Sequence, residues 1–120
     1  MTTIRGVGAS GAVGPTSGGK VYAFNNISSI TALLVAPANT SRTEITFHNP
    51  GDTDILIFPQ FQQTGGSQSA LNVTVAAPGG AFLVYANGGD RTIRGECQGA
   101  WFALCVASTG KPLTVLDSNI

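Results

Sequence analysis

Charge is scarce in this chain. Only 10% of its 120 residues are Asp, Glu, Lys or Arg, six basic against six acidic, so the formal net charge at neutral pH is zero. Without a basic stripe there is no long-range field to gather phosphates, and no nucleic-acid partner is expected. Histidine is scarcer still: His48 stands alone, and with Cys97 and Cys105 it makes a poor ligand set for zinc or for a metal-dependent double-stranded β-helix enzyme. No metal and no cofactor are expected. The N-terminal residues MTTIRGVGASGAVGPTSGGK contain no apolar h-region, and no apolar run approaches the length of a membrane span. Synthesis in the cytoplasm and no membrane partner are the expectation. An amphipathic helical repeat longer than two turns is also missing, which leaves strands as the elements of the fold.

Catalytic signatures are equally thin. A nucleophile elbow of the G-x-S-x-G kind is absent, the nearest fragment being Gly8-Ala9-Ser10-Gly11, and the glycine-rich start lacks Walker spacing. The six acids are Glu44, Asp52, Asp54, Asp90, Glu96 and Asp117, mostly at predicted turns. Asp52 and Asp54, the close pair, read as turn caps beside Gly51. Cys97 and Cys105 read as two reduced, buried thiols on successive strands of a hairpin turning near Gln98-Gly99, out of register for a disulfide. The chain is therefore expected not to be an enzyme, and no catalytic residue is assigned.

What is present is a series of short apolar stretches between turn signals. Residues 30–36 are apolar and partly β-branched; PANTS at 37–41 cannot continue a strand. Residues 43–49 alternate, Ile45 and Phe47 to one face and Glu44, Thr46 and His48 to the other, and Asn49-Pro50-Gly51-Asp52 ends them. Residues 54–59 carry a continuous apolar run and read as a strand buried on both faces. Further strands are expected at 21–24, 70–76, 81–86, 91–96, 99–107 and 113–116, with 91–96 at an edge, 99–107 central, and a polar loop with a flexible Gly65-Gly66 tip at 61–69. Eight or nine strands spaced in this way predict an all-β, single-domain sandwich, jelly-roll-like in strand number, over residues 20–120.

Residues 1–19 hold six glycines and few large side chains, and are expected to form an extended arm. Fully stretched, it spans about 60 Å at ~3.3 Å per residue, enough to reach a neighbouring subunit and lie along its sheet edge, the alternative being a tail that packs on its own sandwich. Ile4, Arg5, Val7 and Val13 are the arm residues expected to bind a partner. Arg42 is expected to tie down loop carbonyls or a carboxylate such as Asp54. Arg91 and Arg94 fall on opposite faces of their strand. Of the neighbours Trp101 and Phe102, one is expected in the core and the other as an interface anchor, with Trp101 taken as the partner-binding candidate.

The stretches ALLVAPANTSRTEITFHNPGDTDILIF and GGAFLVYANGGDRTIRGECQGAWFALCVASTGKPLTVLD resemble small virion proteins of tailed bacteriophages. The resemblance is carried by the turn residues Asn39 and Arg42 and by the I-T-F-x-N-P strand, here Ile45, Thr46, Phe47, Asn49 and Pro50. It implies a capsid decoration, or cement, protein: a β-sandwich on the capsid surface of the virion that bridges subunits of the major capsid protein. Sister copies would associate as a homo-oligomer, a trimer before a dimer. A host-attachment or carbohydrate-binding module of a head fibre or tail is the alternative, with Tyr22, Tyr85 and Trp101 as the aromatics such a module could use, all three inside expected strands.

Overall fold

The computed structural model describes residues 19–64 and 67–119. The described residues are all β: β1 (Gly19–Ile27), β2 (Leu33–Ala36), β3 (Glu44–Asn49), β4 (Ile55–Pro59), β5 (Phe61–Thr64), β6 (Ser67–Ala70), β7 (Phe82–Val84), β8 (Gly89–Arg94), β9 (Trp101–Cys105) and β10 (Lys111–Ser118). Eight of them form two four-stranded antiparallel sheets, in the orders β1-β10-β3-β8 and β2-β9-β4-β7, and β5 pairs only with β6. Alternation explains the layering. Ile45 and Phe47 of β3, Leu113 and Val115 of β10, Ile55 and Ile57 of β4, and Ala103 and Cys105 of β9 all point into one shared core. This layering is compatible with a β-sandwich.

Several expected elements hold. The strand in 43–49 forms as β3, the arginine-containing strand is β8 at a sheet edge, and the apolar strand after Gly99 is β9, between β2 and β4. Arg91 faces inward opposite Phe47, while Arg94 faces outward and pairs with Glu44. Both cysteines are buried and free.

Other expectations are corrected. Residues 61–69 are not a plain loop: β5 and β6 make a hairpin, because backbone hydrogen bonding between paired strands needs no apolar side chain. The expected flexible tip, Gly65-Gly66, lies outside the described residues. The expected strand at 70–76 reduces to Ala70, the end of β6, and the following residues run irregularly. Its alternation nevertheless has a cause, since Leu71 and Val73 turn toward the second sheet's outer face. Residues 30–32 precede β2 rather than joining it, and Ile30 is 89% exposed. The buried strand expected at 81–86 is a short edge strand instead, with Phe82 and Tyr85 exposed. Cys97 lies in the loop before β9, so the two thiols are not on a hairpin; β8 and β9 belong to different sheets. The turn at 87–90 is present, with Asn87 (φ 64°) and Gly88 (φ 99°) both left-handed, and it passes from one sheet to the other.

Candidate functional site

Two polar nodes lock the loops at the two ends of the fold. At one end Arg42 is fully buried and spends all five of its N–H donors. Nε and Nη2 grip Asp117 Oδ1 and Oδ2 at 2.9 and 3.0 Å, Nη1 donates to the carbonyls of Cys97 (2.7 Å) and Gly99 (2.8 Å), and Nη2 donates to Pro37 (2.6 Å). Asp117 belongs to β10 of the first sheet, and the three carbonyls belong to loops beside β2 and β9 of the second. The guanidinium thus ties the sheets together. Its carboxylate partner is Asp117 and not Asp54, whose Oδ1 instead accepts the Ala86 amide at 2.7 Å. Burial alone would push the Asp117 carboxyl up; the hydrogen bonds and charge of Arg42, with help from Asn39 and Lys20, outweigh it and hold the group below the ordinary carboxylate range. Asn39 completes the node, its Oδ1 accepting the Ser41 amide at 3.0 Å.

At the other end Asn49 is buried. Its Nδ2 donates to the carbonyls of Thr53 (2.8 Å) and Val84 (3.1 Å), and its Oδ1 accepts the amide of Gly51 across Pro50 (3.0 Å). Asp52 accepts Lys111 Nζ at 3.0 Å. Arg42 and Asn49 are buried at these nodes, Asn39 is half-buried beside the first, and Pro50 is exposed at the second.

Nucleophiles are likewise held inside. Burial pushes both thiols up from their ordinary value, the positive charge of Arg42 opposing this at Cys97 and backbone hydrogen bonding at Ala107 opposing it at Cys105. Trp101 is 2% exposed, its ring against Phe47 and Phe82 and its Nε1 donating to the Cys97 carbonyl at 3.1 Å. As a partner-binding anchor it is corrected: β9 alternation turns Trp101 into the core and Phe102 outward. Tyr85 follows β7 and is 64% exposed, outside any strand. Ile4, Arg5, Val7 and Val13, with most of the expected arm, lie outside the described residues.

The outward-facing rows of the two sheets are where the molecule becomes asymmetric. On the first sheet the rows read Val21, Leu116, Thr46, Thr92 and then Ala23, Thr114, His48, Asp90. They are mostly small and polar, with Thr46 and Thr92 hydroxyls 2.9 Å apart and His48 Nδ1 2.5 Å from Asp90. On the second sheet the outward rows are Leu34, Phe102, Phe58 and then Leu104, Leu56, Leu83, without a polar side chain among them. The connection from β6 to β7 covers the leucine row through Leu71, Val73 and Ala81. The same cluster takes in Phe58, 4% exposed, and part of Phe102 from the other row. Leu34 remains 46% exposed beside Phe102, whose ring stacks on Phe58 at 5.9 Å, and an apolar groove of about 180 Å³ opens between Ala32, Phe58, Gln60, Ala70, Leu71 and Phe102. This strip is the candidate site, and Ile30, two residues before Ala32 in the chain, is 89% exposed. Its signal in the sequence was the strictly apolar run of residues 55–58 and of Trp101-Phe102-Ala103-Leu104, which must be apolar on both faces.

Comparison with protein-family models, curated proteins and solved structures returns no match to this chain.

Proposed function

We propose that this protein is a structural virion component that binds the outer surface of an assembled phage capsid and bridges major capsid protein subunits, with no catalytic role. The observation that carries the proposal is the apolar strip at one side of the second sheet's outer face. Among the described residues Leu34 is left 46% exposed and Phe102 half-buried beside an apolar groove, while Leu56, Leu104 and Phe58 are covered by the chain itself. A lasting protein contact is the economical use of such a strip.

Strand order supports the same reading. With the β5–β6 hairpin set aside, the remaining eight strands, numbered 1–8, run 1-8-3-6 in one sheet and 2-7-4-5 in the other. We read that interleaving as the two-Greek-key order of a jelly roll, an architecture used by viral capsid proteins. The jelly roll is part of the proposal, as is association of sister copies on the capsid. A protein that binds only the assembled joint between subunits stabilises it by linkage, since disassembly must first release the bound protein.

Co-sedimentation with phage heads lacking this protein tests the reading. The full chain is expected to bind saturably and to remain bound when salt is raised, because the chain carries no net charge. A version lacking residues 2–18 measures what the segment before β1 adds. Failure of the full chain to bind such heads would overturn the proposal.

A further inference from the structure

A second concave surface lies beside the apolar strip but has a different chemistry. The β5–β6 hairpin stands against loop 95–100, and between them is a cleft of about 530 Å³ lined chiefly by Gln60, Phe61, Gln62, Gln68 and Glu96, with the backbone at Gly99 as floor. Its volume falls in the range of small-ligand sites, roughly 300–1,000 Å³. The base of the hairpin is fixed: the Gln60 amide donates to the Ala100 carbonyl and the Leu71 amide to the Gln60 carbonyl, both at 2.9 Å. Phe61 pairs with Ala70 across the hairpin.

We propose that this cleft binds a neutral carbohydrate. Phe61 is 44% exposed at a position held from both sides, a flat apolar ring available to the C–H face of a pyranose. Three glutamines line the same cleft, Gln68 on the hairpin face that carries Phe61 and Gln60 and Gln62 at alternate positions. Each side-chain amide can donate and accept, as sugar hydroxyls require, and the Glu96 carboxylate adds a strong acceptor. Among the described residues, none of these four groups is engaged by another side chain or backbone group. Among the described residues no lysine or arginine lines the cleft, and the nearby Arg42 guanidinium is fully spent, so a phosphate, sulfate or nucleic acid would meet Glu96 without a compensating cation from them. An apolar peptide would bury three amides and a carboxylate against nothing, which costs free energy instead of releasing it.

The test is a titration of the full chain, followed by amide NMR shifts, with cellotetraose, maltotetraose and N-acetylchitotetraose, and with a heparin tetrasaccharide as the anionic comparator. At least one neutral tetrasaccharide is expected to give saturable shifts confined to residues 60–62, 68 and 95–100. Phe61→Ala should weaken that binding at least tenfold, about 1.4 kcal/mol, whereas Phe61→Trp should retain it. Gly99→Leu is an independent block: a Cβ there meets nothing within 4 Å, so a larger side chain can be added at the cleft's floor. Absence of shifts with all three neutral sugars, tighter binding of the heparin fragment, or insensitivity to both Phe61→Ala and Gly99→Leu would overturn the proposal. Because the titration uses no capsid, its outcome is separate from that of head binding.

Discussion

The first sheet turns Thr46, Thr92, Thr114 and the His48–Asp90 pair outward, and the second turns out Leu34, Phe58, Phe102, Leu56, Leu104 and Leu83. Both sheets contribute apolar side chains to the buried core between them, so their inner faces are alike in chemistry. The difference lies in what each outer face demands. Hydroxyls and exposed ion pairs are satisfied by water and by one another, and such pairs add little to stability. An apolar outer row needs a cover, and among the described residues the segment after β6 supplies one for Leu56, Leu104 and Phe58. The strip at Leu34 and Phe102 has no full cover among the described residues. Function, on this account, belongs to one face of one sheet, and the two polar nodes at Arg42 and Asn49 serve to hold the loops and sheets that present it.

The largest effect is expected where the sheets are joined. Arg42→Ala leaves Asp117 buried without its partner and should cost about 3–5 kcal/mol in urea denaturation, abolishing head binding together with the fold. The same pair sets a pH dependence. The folded Asp117 carboxyl lies below its ordinary value of 3.8, so its contribution to stability is complete above that value and is lost as pH falls through the folded one. Denaturation midpoints should drop over that interval, and Asp117→Asn should flatten the drop. Next comes the covered part of the outer face. Leu104→Ala is expected to destabilise by about 2–5 kcal/mol, a core penalty at a position on the outside of a sheet. On the strip beside it, Leu34→Ser with Phe102→Ser should leave the fold largely intact yet weaken head binding at least tenfold, roughly 1.4 kcal/mol or more. The smallest effect belongs to the first sheet: Thr46→Ala removes one cross-strand hydroxyl contact and should change stability by less than about 1 kcal/mol, with head binding unchanged.

Most of the strands were legible because their cause is local. Glu44–Asn49 alternates as β3 does, and the apolar runs at 55–58 and 101–104 belong to β4 and β9, the two strands of the second sheet that have neighbours on both sides and apolar rows on both faces. The hairpin Phe61–Ala70 was not legible, since glutamines and serines carry no alternation and its pairing rests on the backbone. Residues 71–76 misled in the opposite direction: Leu71 and Val73 alternate because they cover a sheet, not because they join one. For Arg42 the role was readable and the partner was not, because Asp117 lies 75 residues away. A sign was present in β10, where Leu113, Val115 and Asp117 share the inward register and an inward carboxylate calls for a buried cation. Which residues the chain after β6 would cover depends on how far it reaches across the sheet, a tertiary fact with no local signature.

The most direct test of the account is hydroxyl-radical footprinting of the protein free and bound to heads. Protection of Ile30, Leu34 and Phe102 on binding, with Val21 and Leu116 on the first sheet reacting as in the free protein, is the predicted result. Protection of Val21 and Leu116, with Leu34 and Phe102 still reactive, would contradict it.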